Sequence, residues 1–401
     1  MNKKILYLAL NYPVIGKSNS LYTDLMEEFR DNGYEVTVIA SSEENGEEGV
    51  FNESGIQVIR TNTFSQRNVS IVKKGIANVL LPYQYKKAIK KYVKSFDFDF
   101  ILMPTPPITL YSVVRWLTNK YKIPFYLILR DIFPQNAVDL GLIKKEGLIH
   151  SKFRSTEKKL YNLADQIGCM SQGNIDYVIK HNDTIKPDKL HILRNWQKNQ
   201  VLKKVDKTEI KVKNGLEGKF VVFFGGNISK PQKVENIVQL AKLYNGNPDV
   251  VFYIIGRGTE KPKLEQLVID NELQNFIIKD FLPRDEYQEL MLAADVGLVS
   301  LDERFTIPNI PSKALSYFNA KIPIIALIDN NTDFGTWIQD EIECGYWSVA
   351  SKPEQIKYNM DKLLIDKGLV QELGLNGYNY FLKHLSPEIA CKVIVDRIND
   401  C

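Results

Sequence analysis

The sequence predicts an α/β protein built from two doubly wound, Rossmann-like domains that face each other across a cleft. Three observations carry this. Short apolar runs alternate with helical segments almost from end to end, the signature of βα units on a parallel sheet. The alternation is interrupted once, by the polar, lysine-rich stretch 197–219, and then restarts. The length, 401 residues, also exceeds what one ordinary core accommodates.

The first domain, 1–197, opens with the strand KILYLAL (4–10). A basic start leads straight into it without a small-residue cleavage site, so the amino terminus reads as a strand and not as a signal peptide. EVTVIA (35–40), IQVIR (56–60), DFILMP (99–104), PFYLILR (124–130), QIGCMS (166–171) and LHILRN (190–195) follow. Helical patterns such as LYTDLMEEFRDNGY and HSKFRSTEKKLYNLA lie between them. Stretch 197–219 reads as the linker. The second domain, 198–380, repeats the scheme with FVVFFGGN (220–227), VVFYIIGRG (250–258), FIIKDFLP (276–283), DVGLVSL (295–301) and IPIIALI (322–328). No apolar run reaches the roughly 18–20 residues of a spanning helix, so membrane contact is expected to be peripheral. Cys169, Cys344, Cys391 and Cys401 show no C-x-x-C spacing and no cluster with histidine, which fits a reducing cytoplasm and argues against a zinc site.

Charge is distributed unevenly. Residues 1–200 hold 28 Lys and Arg against 20 Asp and Glu, whereas residues 201–401 hold 24 against 28. Most of the basic excess lies in Ser65 to Phe96, with eight basic residues and no acidic one. Within it Ile76, Val79, Leu80 and Tyr83, then Ile89, Tyr92, Val93 and Phe96, recur at helical spacing, with a break or kink expected at Pro82. Two readings fit: a core-packed helix with a solvated lysine face, or an amphipathic surface for anionic lipid.

Ligands of open α/β sheets bind beyond the carboxyl ends of the strands, and this rule sorts the candidate sites. Asp97 and Asp99 resemble a metal-binding D-x-D but precede their strand, so they read as surface loop. In the second half, three strand ends converge in character. Gly225, Gly226 and Asn227 follow the first strand, Arg257 stands between two glycines after the next, and a proline-broken loop leads into the helix that begins near Ser312 and Lys313. A lysine at a helix amino end opposes the helix dipole, which favours anions there. A ligand diphosphate would explain it, since helix amino ends and lysine both suit phosphate. In the first half, a buried strand ends in Arg130 and Asp131. An Asp beside an Arg is expected to stay ionised and to orient a hydroxyl or a sugar. Gly16 and Lys17, after the first strand, offer a further phosphate approach; that loop lacks G-x-G-x-x-G, which weakens a dinucleotide oxidoreductase reading.

Four segments in this order, RDIFPQNAVDLG, GGNISKPQKVENIVQLAKL, IIGRGTEKPKLEQL and IPSKALSYFNAKIPIIA, resemble the retaining family 4 glycosyltransferases of the GT-B fold. The likeness is greatest to the bacterial branch that builds capsule or O-antigen units on a lipid carrier, including N-acetylfucosamine transferases. The resemblance implies a UDP-sugar held by the second domain and a polyprenyl-diphosphate-linked saccharide acceptor held by the first. It implies no metal or other cofactor, no nucleic-acid partner, and a cytoplasmic enzyme lying against the inner face of the cell membrane through Ser65 to Phe96. By position, Lys313, Arg257 and the turn Gly225 to Asn227 would face the diphosphate. Phe281 and Leu282, within DFLP, would meet the base, and Asp131 would lie near the reacting sugar. The carboxyl-terminal segment, 381–401, would cross back onto the first domain.

The family commonly carries two glutamates eight residues apart, the second holding ribose. Pro308 and Ser316 stand at those positions. The usual Arg and Lys after the glycine turn are replaced by Asn227 and Gln232, with Lys230 and Lys233 close by. These departures keep two alternatives open: a catalytically silent GT-B partner protein, and a GT-B nucleotide-sugar epimerase.

Overall fold

The computed structural model describes residues 3–42, 46–65, 71–200 and 205–400. The chain forms two compact units, residues 1–198 with 386–401, and residues 199–385.

In the first unit the strands are β1 (Lys4–Ala9), β2 (Glu35–Ser41), β3 (Gly49–Glu53), β4 (Ile56–Thr61), β5 (Phe100–Pro104), β6 (Phe125–Leu129), β7 (Gln166–Cys169) and β8 (Leu190–Ile192). They lie in the order β3-β4-β2-β1-β5-β6-β7-β8. Every pairing among them is parallel except that of β3 with β4. Sequence reading misses β3, because this edge strand buries no face and so shows no alternation. The chain runs outward from β1 and then returns to its other side with β5, which puts the topological switch point between those two strands. On one face of the sheet Ile5, Tyr7 and Ala9 pack with Leu25, Met26 and Phe29 of the helix Leu21–Asp31. Ala390, Cys391 and Ile394 of the final helix, Pro387–Asn399, join the same core.

The second unit holds β9 (Phe220–Gly225), β10 (Val250–Ile255), β11 (Phe276–Lys279), β12 (Val296–Ser300), β13 (Ile324–Ile328) and β14 (Gly345–Val349). The order is β11-β10-β9-β12-β13-β14, all parallel. Successive residues of β9 enter opposite cores, Val221 and Phe223 on one face and Val222 and Phe224 on the other. Burial on both faces explains why the strand reads as an unbroken apolar run. Phe381 and Leu385 belong to this unit's core.

Two expectations are corrected. Stretch 197–219 is not linker throughout: residues 201–204 lie outside the described residues, but Asp206 caps a helix, Lys207–Lys213, with its carboxylate accepting the Thr208 and Glu209 amides at 2.8 and 3.3 Å. Ile210 and Leu216 then enter the core, two isolated apolar residues that give little periodicity to detect. Pro82 does not break its helix, which runs over Ile71–Tyr92. A proline there costs one intrahelical bond, and Ala77 and Leu81 before it and Tyr85, Ala88 and Ile89 after it anchor both halves in the core.

Candidate active site

The second unit changes direction between β9 and β12, and the loops leaving those strands are stitched together. The Asp302 amide donates to the Pro231 carbonyl at 2.9 Å. Asn236 Nδ2 reaches Ser300 Oγ at 3.3 Å and the Leu301 carbonyl at 3.0 Å. Lys233 pairs with Glu303, so of the two lysines near the glycine turn it is already engaged, whereas Lys230 forms no ion pair among the described residues.

Glycine serves close backbone approach at this edge. The Gly226 amide donates to the Ile255 carbonyl at 2.9 Å and the Ile228 amide to the Arg257 carbonyl at 2.8 Å, which zips the loops after β9 and β10 together. A Cβ on Gly256 or Gly258 would overlap the carbonyls of Gly226 or Ile228, and one on Gly225 would overlap the Tyr287 hydroxyl. The Gly226 amide is therefore occupied and does not await a ligand, contrary to expectation. Asn227 is exposed and holds Ser229 Oγ at 3.0 Å. Arg257 is exposed, with its guanidinium 5.2 Å from the ring centroid of the exposed Phe281. Leu282 packs half-buried against the core.

Lys313 opens the helix Lys313–Asn319, after an exposed Ser312 whose side chain makes no capping bond. The Ala314 and Leu315 amides close turns onto Pro311 and Ser312 at 3.2 Å each, so these two are not the free amides expected at the helix start. The cation itself is what remains. Lys313 Nζ is shielded from solvent, has no hydrogen-bond partner, and stands 3.4 Å from the ring centroid of Phe224. Burial pushes its pKa down to about 7. Phe224, the ring beneath the cation, was not singled out by sequence reasoning, because it reads as one more apolar residue of a buried strand. Ser316 follows one turn later, half-buried.

In the first unit, Gly16 occupies an exposed left-handed turn, φ 91°, closed by the Lys17 amide on the Val14 carbonyl at 3.0 Å. A buried ion pair fixes this loop: Arg60 bonds Glu53 at 2.8 Å and the Tyr12 and Pro13 carbonyls, while Glu53 accepts the Ile15 amide at 3.0 Å. Across the sheet, Thr105 Oγ1 accepts the Arg130 and Asp131 amides at 3.0 and 3.3 Å and donates to the Asp131 carbonyl at 3.1 Å. Sequence reasoning missed this hub, since one threonine before two prolines carries no signal of its own.

Arg130 and Asp131 interact only through the longer-range attraction of their charges. No ion pair joins them, and the Asp131 carboxylate has no partner among the described residues. Burial raises the Asp131 pKa, opposed by the charge of Arg130. Arg130 Nε and Nη1 are buried without partners, and its guanidinium carbon lies 6.0 Å from the Tyr22 ring centroid.

Asp97 and Asp99 hold Lys4 at the amino end of β1, through Nζ at 2.7 Å and the backbone amide at 2.6 Å. Of the basic stretch Ser65 to Phe96, residues 66–70 lie outside the described residues. On its helix Ile76, Val79, Leu80 and Tyr83 form an outward stripe, 54%, 61%, 36% and 70% exposed, while Ile89 is fully buried. Lys91 pairs with Glu48 at 3.2 Å and Lys90 lies 5.7 Å from the Trp116 ring centroid. No helix among the described residues is long and apolar enough to cross a membrane.

The comparisons with known proteins divide at the same place as the units. Residues 19–196 match the model of Glycosyltransferase Family 4, and residues 206–380 that of Glycosyl transferases group 1. A probable glycosyltransferase of Pseudomonas aeruginosa, WbjE, is 24% identical over 297 residues, 73% of this chain and 72% of that protein. Among solved structures, a sucrose-phosphate synthase from Thermosynechococcus elongatus superposes with TM-score 0.78 at 14% identity, over 100% of this chain and 99% of the other. Anabaena HepE in complex with UDP and glucose gives 0.73 at 13%, covering both chains fully. WaaG, a glycosyltransferase involved in lipopolysaccharide biosynthesis, gives 0.66 at 15%, over 97% and 99%. Fold and matches together define a two-domain glycosyltransferase of the GT-B fold, an enzyme that uses a nucleotide sugar. The matches of both units support an assignment to the group 1 and family 4 glycosyltransferases.

Proposed function

We propose that the protein is a retaining, metal-independent transferase that moves a sugar from a UDP-sugar to a saccharide carried on a polyprenyl diphosphate, in capsule or O-antigen assembly. The observation that carries this reading is the shielded, unpartnered Lys313 at the switch point of the second unit. Retaining transfer without a metal leaves growing charge on the donor diphosphate, and a cation preorganised in a low-dielectric site stabilises that charge far better than water does. Arg257 and Lys230 add positive charge on the same strand-end loops, and exposed Phe281 offers a surface for the base. Asp131 serves the acceptor hydroxyl and the reacting sugar from the first unit. A donor of N-acetylated deoxyhexosamine type, such as N-acetylfucosamine, fits the branch that the sequence resembles. HepE binds UDP, and WaaG works in lipopolysaccharide synthesis, which supports both the donor class and the setting.

The outward stripe Ile76, Val79, Leu80 and Tyr83, on a stretch without acidic residues, gives the enzyme its peripheral contact with the inner face of the cell membrane. Incubation with a panel of UDP-sugars and extracted membrane lipid tests the reading. Sugar transferred to lipid with unchanged anomeric configuration, insensitive to chelator, supports it. Altered donor without lipid would favour an epimerase, and binding without turnover a silent partner.

A further inference from the structure

We infer that the first unit contains an anion-binding site centred on Arg130, and that the acceptor therefore presents a carboxylate or phosphate to it. The inference deepens the proposed function and rests on its assignment of the acceptor to this unit.

An arginine keeps its charge at any physiological pH, so burying the guanidinium is unfavourable unless it meets a counter-charge. Arg130 has none. Nε and Nη1 are shielded from solvent, and no side-chain nitrogen of Arg130 donates a hydrogen bond among the described residues. The neighbouring carboxylate of Asp131 forms no ion pair with it. The wall beside it is equally unsatisfied and aromatic. Tyr22 presents its ring 6.0 Å from the guanidinium carbon, the Tyr7 ring lies 6.0 Å from that of Tyr22, and the fully buried Tyr7 hydroxyl has no partner. Tyr7 from β1 and Tyr22 from the helix after it thus stand beside the Arg130 guanidinium at the end of β6, whose Nε and Nη1 lack hydrogen-bond partners. The fork of an arginine suits carboxylate and phosphate, and a tyrosine hydroxyl adds a neutral donor to the same anion. Sugar hydroxyls would satisfy the N–H groups but not the charge.

Residues 1–200 also carry eight more basic than acidic residues, a field that draws anionic partners toward this unit. Two sources supply the required chemistry: an acidic or phosphorylated sugar of the acceptor, or the diphosphate of its carrier.

Thermal-shift titration of the intact protein with glucuronate, glucose 6-phosphate, glucose, farnesyl diphosphate and UDP tests this, using wild type, Arg130→Gln, Arg130→Lys and Lys313→Met. At least one acceptor-type anion is expected to raise the melting temperature of wild type where glucose does not. That rise should vanish in Arg130→Gln, return in part in Arg130→Lys and persist in Lys313→Met. Without ligand, Arg130→Gln should fold and melt close to wild type, since the Arg130 side chain makes no hydrogen bond or ion pair among the described residues. Dependence on Arg130 for glucuronate or glucose 6-phosphate places the anion on the acceptor sugar, and for farnesyl diphosphate on the carrier. The proposal is overturned if no acceptor-type anion shifts wild type, if the shifts survive in Arg130→Gln, or if Arg130→Gln loses only the UDP shift. Absence of any UDP shift in wild type, with the Arg130-dependent shift intact, would instead count against the donor site.

Discussion

Lys313 Nζ stands 3.4 Å from the ring centroid of Phe224 and has no other partner to hold it. The relationship joins the first residue of one helix to the penultimate residue of β9 across the switch point of the second unit. A ring quadrupole attracts a cation but does not replace its hydration, so an anion bound beside it would stabilise the charged form. Its behaviour with pH follows. The ordinary lysine value of 10.5 falls to about 7 in the folded protein. Between those values the unfolded chain binds more protons, so stability rises with pH across that window, and the destabilisation is complete below about 7. A bound diphosphate returns the proton. Affinity for UDP-glucose should therefore fall, by up to about tenfold per pH unit, as pH climbs above about 7. Calorimetry at several pH values, in buffers of differing ionisation enthalpy, reads both the affinity and the proton taken up.

In the proposed function Asp131 acts on the acceptor side. Asp131→Ala should lower transfer by roughly 100-fold or more, the scale of a lost general base or charge partner, with UDP affinity unchanged. Because burial raises its pKa, the acid limb of the rate profile should lie above the ordinary carboxylate range, and activity should be lost as pH falls through it. Full transfer by Asp131→Ala removes the assignment.

Thr105 supports that site through the backbone. Thr105→Val leaves the amides of Arg130 and Asp131 without their acceptor in a buried setting, a cost of about 1–3 kcal/mol. Thr105→Ser keeps the hydroxyl and should restore most of the stability. Equilibrium denaturation compares the two.

Strand ends were the legible part of this chain. The runs that became β9, β10 and β12 are buried on both faces, so their apolar character marks them, and the strand-end rule leads directly to Arg257 and Lys313. What the sequence conceals are relations between distant residues. Arg130 and Asp131 are adjacent in sequence, yet no ion pair joins them, and the Thr105 hydroxyl that holds both their amides lies 25 residues away in the chain. Phe224 under Lys313, and the Arg60 and Glu53 pair that pins the loop bearing Gly16, join residues 89 and 7 positions apart with no shared pattern. The helix Lys207–Lys213 was hidden because lysines dominate it and only Ile210 enters the core.

On the resemblance to family 4 enzymes, Ser316 would stand where the pattern has a carboxylate for ribose. Ser316→Glu should tighten UDP binding by about tenfold, near 1.4 kcal/mol, through a charge-assisted hydrogen bond. Unchanged affinity would mean that ribose is held elsewhere. Titration by calorimetry decides.

Membrane contact through the outward stripe is read by flotation with anionic liposomes. Val79→Ser with Tyr83→Ser should abolish flotation, and neutralising Lys86, Lys87, Lys90 and Lys91 together should weaken it by about 1 kcal/mol for each lysine that faces the lipid. Lys91 is held by Glu48 and should contribute least. Flotation unchanged by either set removes the idea.

In the proposed function Lys313 is kept unpaired for a donor diphosphate. The most direct measurement is UDP-glucose binding by Lys313→Met, together with its melting temperature. Lys313→Met should lose detectable binding and melt a few degrees higher, since about 1 kcal/mol gained moves a domain of this size by about 2–4 °C. Wild-type affinity in Lys313→Met would contradict it.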